Sequence, residues 1–289
     1  SNGTRDIGYF YDTHHKMKAI WQNLSLNSEE SPIVDSKYVG SMEERHGRDS
    51  TEFRIRVSGG FPGEGVVDTS GYVRLYEERD TRYIPMPDQL IFSGTPIMGV
   101  DPAGEGKNKS VIYIRDFFIS VCVFEEARTN PKELAQTIIT LCAKYKIQSR
   151  DVVVDEFGIG AKVVKELALL GFDVYSVNTG EDCNMELDRE KYINKRAEYY
   201  YKSAEWGIQG GKSVEHKAIK EQMPKIRYKR NLKGKIQIMP KVEMKKRLNM
   251  DSPDHTDAHS MTFARRVEAR VDPDAVHVHN QNFDKDAIF

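Results

Sequence analysis

Two short apolar runs, each stopping on an aspartate, constrain the fold of this chain more than any other feature: Ile97-Met98-Gly99-Val100-Asp101 and Val152-Val153-Val154-Asp155. Runs this short and this apolar read as strands covered on both faces, the situation of a sheet flanked by helices. Two further β-rich stretches, residues 110–114 and 117–124, follow the first run closely enough for an antiparallel meander. Pro131 then opens a helix that reaches Tyr145, with Leu134, Ile138, Leu141 and Cys142 at helical spacing. After the second run come a helix over residues 160–170 and the stretch Phe172-Asp173-Val174-Tyr175-Ser176-Val177. The order β-β-β-α-β-α-β predicts an α/β fold, a mixed five-stranded sheet flanked by helices, because the later strands need crossover helices to run parallel.

On either side of this region the sequence changes character. Residues 1–62 read as a short helical segment without a core of its own: a helix over 15–24, a break at Pro32, a second helix over 36–46, and the alternation Phe53-Arg54-Ile55-Arg56-Val57, which fits a short strand. Residues 63–95, rich in Gly and Pro, read as a linker, and residues 96–270 as the main domain. Within that domain, helices are expected over 188–206, 214–223, 241–249 and 253–267, and an added β-hairpin over 226–229 and 235–238. Residues 271–289 lack periodicity and read as a flexible tail. A 39% hydrophobic and 30% charged composition belongs to a folded chain rather than a disordered one. Cys122, Cys142 and Cys183 show no close pairing and read as reduced residues. No run is long and apolar enough for a membrane span, so no membrane partner is expected.

A carboxylate at the end of a buried strand loses its hydration and persists only where something ionic meets it. Asp101 and Asp155 end strands that the element order makes neighbours, so together they point to a cation. Asp257 follows Asp254 by three residues near the start of the last helix, and both project from one face of a helix N-terminus that favours anionic groups. Oxygen ligands without a His or Cys set suit Mg2+ or Mn2+ rather than zinc, and two such ions about 3.5–4 Å apart suit phosphodiester hydrolysis. Each acid alone has a plain structural use, at a strand end or a helix start. Their joint order, strand acid, strand acid, helix acid, is what favours chemistry.

The formal net charge is −1, so a nucleic-acid partner has to be met by a local basic patch. Residues 212–247 hold thirteen Lys or Arg against three Glu. Arg227, Lys229, Arg230, Lys233 and Lys235 on the expected hairpin are candidate DNA-backbone contacts, with Lys195 and Arg196 a second pair. A solvated hairpin with lysines guarding its edges, and a solvated helix face, are the competing readings. Tyr199-Tyr200-Tyr201 reads as helix packing, since adjacent helical residues face different ways.

Three segments then become recognisable: Gly99-Val100-Asp101-Pro102-Ala103-Gly104-Glu105-Gly106, Asp155-Glu156-Phe157-Gly158-Ile159-Gly160, and Ser252-Pro253-Asp254-His255-Thr256-Asp257-Ala258. Together they resemble the nuclease signature of large terminase subunits from tailed phages and prophages. Asn194-Lys195-Arg196-Ala197-Glu198 resembles a segment between the second and third acidic motifs of that family, and Gly47-Arg48-Asp49-Ser50 with residues 53–62 resembles the closing stretch of its ATPase domain. The resemblance implies an RNase H-like nuclease that cuts concatemeric double-stranded viral DNA during genome packaging, using two Mg2+ or Mn2+ ions and little sequence preference. It makes Asp101, Asp155 and Asp257 the catalytic metal-binding acids and Asp254 an auxiliary ligand, leaving open which of Asp254 and Asp257 supplies the main third ligand. Many relatives carry a further acid where this chain has Lys107-Asn108, so Glu105 or a water would complete the shell. Also implied are a small terminase subunit and a procapsid portal as partners, and the host cytoplasm as the place of action. No Gly-x-x-x-x-Gly-Lys-Ser/Thr loop is present, so the expectation is a fragment with the end of a motor domain and no ATPase activity of its own. A non-catalytic DNA or portal docking module, and another RNase H-like enzyme such as a resolvase or transposase, are the alternatives.

Overall fold

The structure, a computed structural model, describes residues 9–14, 17–61, 72–76, 81–104, 106, 108–248 and 250–268. The chain divides into two compact units, one built from residues before Leu75 together with Arg227–Lys229, the other from the remainder. The expected tail over 271–289 lies outside the described residues, as do residues 63–71 and 77–80 of the expected linker over 63–95.

The smaller unit holds α1 (Tyr9–His14), α2 (Ser36–His46), α3 (Thr51–Arg56) and β1 (Val73–Arg74). The Asp35 side chain caps α2 by accepting from Lys37 N, and Gly47, at φ 77°, ends it. Met42, Phe53 and Val57 bury against one another with Val39 beside them. Strand β1 pairs antiparallel with the strand Arg227–Arg230, Val73 opposite Tyr228 and Arg74 opposite Arg227. Two expectations are corrected here. The helix forecast over 15–24 instead occupies Tyr9–His14, with a turn at residues 17–20. Residues 53–56 are helical rather than extended: the Ser50 hydroxyl accepts from Phe53 N at 3.0 Å, and the cap starts a helix that buries Phe53 and Val57 together. Five residues of alternation cannot separate a period of 2 from an i, i+4 pair.

The larger unit is organised by a sheet. Its strands are β2 (Arg82–Ile84), β3 (Ile97–Asp101), β4 (Lys109–Arg115), β5 (Ile119–Ala127), β6 (Val152–Asp155), β7 (Tyr175–Val177) and β8 (Lys212–Val214), in the order β2-β8-β5-β4-β3-β6-β7. The centre, β5-β4-β3, is an antiparallel meander, and parallel pairs extend it on both sides. Among the described residues the sheet is therefore seven-stranded and mixed rather than five-stranded. The two additions, β2 and β8, are three residues each, too short for alternation to reveal them.

Helices α4 (Pro131–Tyr145) and α5 (Gly160–Leu169) cover one face, where Leu134, Ile138, Val163 and Leu167 meet Met98, Val100, Val152 and Val154. Each such fully buried aliphatic contributes about 1.5–3 kcal/mol. On the other face Ile97 and Val153 meet Tyr199 and Met261, from α7 (Lys195–Ile208) and α10 (Asp254–Met261). Because strand side chains alternate, Gly99, Asp101 and Asp155 share the face of Ile97 and Val153, toward α10.

The remaining elements are α6 (Glu186–Lys191), α8 (Lys217–Gln222), β9 (Arg227–Arg230), β10 (Ile236–Ile238) and α9 (Lys241–Leu248). The single helix expected over 188–206 is two, because Asn194 interrupts it and caps α7 by accepting from Ala197 N at 2.9 Å. At the expected hairpin turn, the Asn231 carboxamide accepts from Lys233 N and Lys235 N, and Gly234 takes φ 78°, a conformation open to glycine at little strain. Among the described residues no helix is long and apolar enough to cross a membrane.

Candidate active site

Strand register brings the first two acids together. Strands β3 and β6 run parallel with Val100 opposite Val154, so Asp101 and Asp155, next on each, stand side by side at the carboxyl ends of neighbouring strands about 4.8 Å apart. Carboxyl ends of parallel strands are where open α/β sheets bind ligands. The Asp155 carboxylate accepts from Phe157 N at 3.1 Å, and the turn folds back so tightly that a Cβ on Gly160 would lie 1.6 Å from the Asp155 carbonyl oxygen.

Helix α10 brings the other two. Its backbone rests directly on β3: a Cβ on Gly99 would sit 2.3 Å from the carbonyl oxygen of Ala258. Pro253, at its start, offers no capping side chain. Instead the Gln222 carboxamide oxygen accepts from His255 N (3.0 Å) and Thr256 N (3.1 Å), satisfying two of the donors that a helix start leaves open. Asp254 accepts from the backbone N–H of Lys109 at 3.1 Å. Asp257 receives the Tyr200 hydroxyl at 2.5 Å, the Arg196 guanidinium at 3.5 Å and the Lys241 ammonium at 2.7 Å.

Electrostatics divide the four carboxylates. Burial, followed by the charge of Asp257, holds Asp101 well above the usual carboxylate range; Asp254 and Asp155 add to this, and Lys241 opposes it. Burial also raises Asp155 and Asp254. For Asp257 burial pushes upward, but Lys241 and Arg196, with the hydrogen bonds from Lys241 and Tyr200, outweigh it and hold the group below its ordinary value. Three acids are thus under-compensated and one is ionised against cations. Such a cluster calls for more positive charge, and its all-oxygen donor set fits a hard divalent cation such as Mg2+ or Mn2+.

The basic candidates separate. Lys195 pairs with Glu181 at 3.0 Å. Arg196 is drawn inward: beyond Asp257 it donates to the Met239 carbonyl at 3.2 Å and lies 4.9 Å over the Tyr200 ring. Neither has the setting of a surface pair facing phosphates. Lys233 is exposed, Lys235 half-buried, and exposed Arg230 donates to the Gly234 carbonyl at 3.1 Å. In the smaller unit, Arg227 is half-buried and the Lys229 ammonium lies 4.4 Å over the Tyr72 ring. Glu105 and Lys107 lie outside the described residues.

No protein-family model matches the chain. A probable terminase large subunit of Enterobacteria phage P7 is 30% identical to it over 281 residues, 90% of this chain and 55% of that protein. The chain is a relative of the phage large terminase subunits. It spans about half the length of the curated terminase it matches. Among solved structures, the nuclease domain of the large terminase subunit gp2 of bacterial virus Sf6 is similar at a TM-score of 0.50 and 18% identity. A variant of that domain with calcium is similar at 0.51 and 19%. Both matches cover 60% of this chain and 89% of the Sf6 domain. The seven-stranded unit of this terminase relative has the RNase H-like fold of those nuclease domains.

Three residues that meet the site's acids or the helix carrying two of them escape the sequence reading. Tyr200 reads as packing from its neighbours, which Tyr199 is, yet its hydroxyl holds Asp257. Lys241 and Gln222 carry no local signal, since each acts on groups distant in the chain: Lys241 on Asp257 and Asp101, Gln222 on the start of α10.

Proposed function

We propose that this chain is the nuclease portion of a genome-packaging terminase, a divalent-metal-dependent endonuclease acting on double-stranded DNA with little sequence preference. Asp101, Asp155 and Asp257 are its metal-binding catalytic acids, with Asp254 auxiliary. The observation that carries this reading is the convergence of under-compensated carboxylates at the ends of β3 and β6 beneath the first turn of α10. The calcium present with the related Sf6 domain supports a divalent site. Two Mg2+ or Mn2+ ions there would supply an activated water and stabilise the leaving oxygen of the phosphodiester.

The chain's own residues orient that chemistry. Tyr200 and Arg196 fix the Asp257 carboxylate, Lys241 shares its charge, and the Lys109 N–H holds Asp254. Arg230, Lys233 and Lys235, with Arg227 and Lys229, are the proposed phosphate contacts. In the packaging setting the substrate is concatemeric viral DNA in the host cytoplasm, and the partners are a small terminase subunit and a procapsid portal. ATP hydrolysis is assigned elsewhere, as no phosphate-cradling loop occurs in the sequence.

Nicking of supercoiled plasmid with Mn2+, with and without EDTA, tests the reading. Asp101→Asn and Asp155→Asn should each lower the rate by at least about 100-fold, because losing a direct ligand exceeds the 10–100-fold that loss of an outer-shell partner brings. Wild-type rates in both variants would eliminate the site. A docking module whose acids are structural would show no Mn2+-dependent rise in melting temperature, whereas a real site must show one.

A further inference from the structure

A second group of metal-ligating side chains converges on the larger unit, with a chemistry unlike that of the four aspartates. Cys122, His216 and His255 each offer one ligand atom, and these atoms lie within 4.8 Å of one another. Glu125 joins them: one carboxylate oxygen is 3.2 Å from His216 Nε2 and the other 3.5 Å from His255 Nε2. A bulge creates the arrangement. Strand β5 gains a residue against β4 between Cys122, opposite Tyr113, and Phe124, opposite Ile112. Cys122 and Glu125, three positions apart, are thereby brought to one face, that of Tyr113 and Val111. His216 arrives from the junction of β8 and α8, and its ring stacks on that of His255 with centroids 4.5 Å apart.

His255 supplies the decisive detail. It is 2% exposed, and among the described residues its Nε2 has no hydrogen-bond partner of good geometry. Its Nδ1 lies 3.3 Å from the Tyr113 hydroxyl, which can accept an Nδ1–H and leave the Nε2 lone pair available. We infer that Cys122, His216, His255 and Glu125 form a structural zinc site. One thiolate, two imidazoles and one carboxylate make a four-ligand mixed set that selects zinc over Mg2+ or Mn2+. Tetrahedral zinc ligands stand about 3.3–3.8 Å apart, so closure on the ion takes shifts of about an ångström. The Cys122 proton leaves to solvent as the Zn–S bond forms. His216 gives up the long 3.3 Å contact from Ala218 N, a small loss beside a metal–ligand bond. The site ties the β5 bulge, the start of α8 and the first turn of α10, so it sets the position of the helix that carries Asp254 and Asp257. The inference stands independently of the nuclease reading.

Cobalt substitution of the metal-stripped whole chain tests it, because only a thiolate site gives a thiolate-to-cobalt charge-transfer absorption. The band is expected in wild type and in Asp101→Asn, displaced by equimolar zinc, and absent from Cys122→Ser. His255→Gln should weaken cobalt binding by more than about tenfold, the lower bound set by outer-shell losses. Should His255→Gln fail to fold, His216→Gln, at a less buried position, carries the same expectation. A folded wild-type chain without the band, or a band that survives in Cys122→Ser, would overturn the assignment.

Discussion

Asp101 and Asp257 are the same residue type in one cluster, yet their environments push them in opposite directions, and the difference comes from partners far along the chain. Tyr200 reaches Asp257 from 57 positions away. The acids themselves were legible, since each ends an apolar run or starts a helix; their ionisation was not. His259, two positions beyond Asp257, makes a testable case. It sits among the rings of Tyr113, Trp206 and Phe263, where burial and then the Arg115 charge push its imidazole down to about 3. The unfolded chain, with a value of about 6.5, takes up a proton first as pH falls. The contribution is therefore complete above the unfolded value and is lost as pH falls toward the folded one, by up to about 1.4 kcal/mol per pH unit. Melting curves above and below about pH 6.5 should show a shallower decline in His259→Gln than in wild type. Parallel declines would mean that His259 is not held neutral.

Among the elements, α10 is the one whose character the sequence conceals. Asp254, His255, Thr256, Asp257, His259 and Ser260 are all buried, so the helix has no polar face turned to water and no apolar stripe to announce it. What holds it is contact: Gln222 caps its start, and Gly99 lets its backbone rest on β3. Gly99→Ala should displace it, lowering stability in urea unfolding by about 1–3 kcal/mol through overpacking. Plasmid nicking should fall with it, and a variant with unchanged nicking would show that the helix need not sit where it does. Gln222→Ala, measured the same way, should lose about 0.5–2 kcal/mol, the range for loss of a helix cap. Strands β3 and β6 were readable because burial on both faces leaves an unbroken apolar run. The three-residue β2 and β8 were not, since pairing with neighbours, rather than any local pattern, makes them strands.

For the molecule as a whole, charge balance hides a local bias. A net charge of −1 gives no attraction to DNA, so binding has to come from the basic stretch over residues 212–247. The slope of log affinity against log salt should fall by about 1 in Lys233→Ala if that exposed lysine meets a phosphate. An unchanged slope would remove it from the interface. The sequence by itself determined the α/β class, the central strands and the acids at their ends, because apolar runs and the residues that stop them are local properties of the chain. Only the tertiary structure decided that the sheet has seven strands, that a polar helix lies buried against it, that Arg196 turns inward to Asp257, and that Cys122 faces two histidines. Each of those depends on groups that meet only after distant segments pack, where burial and neighbouring charge set a side chain's state.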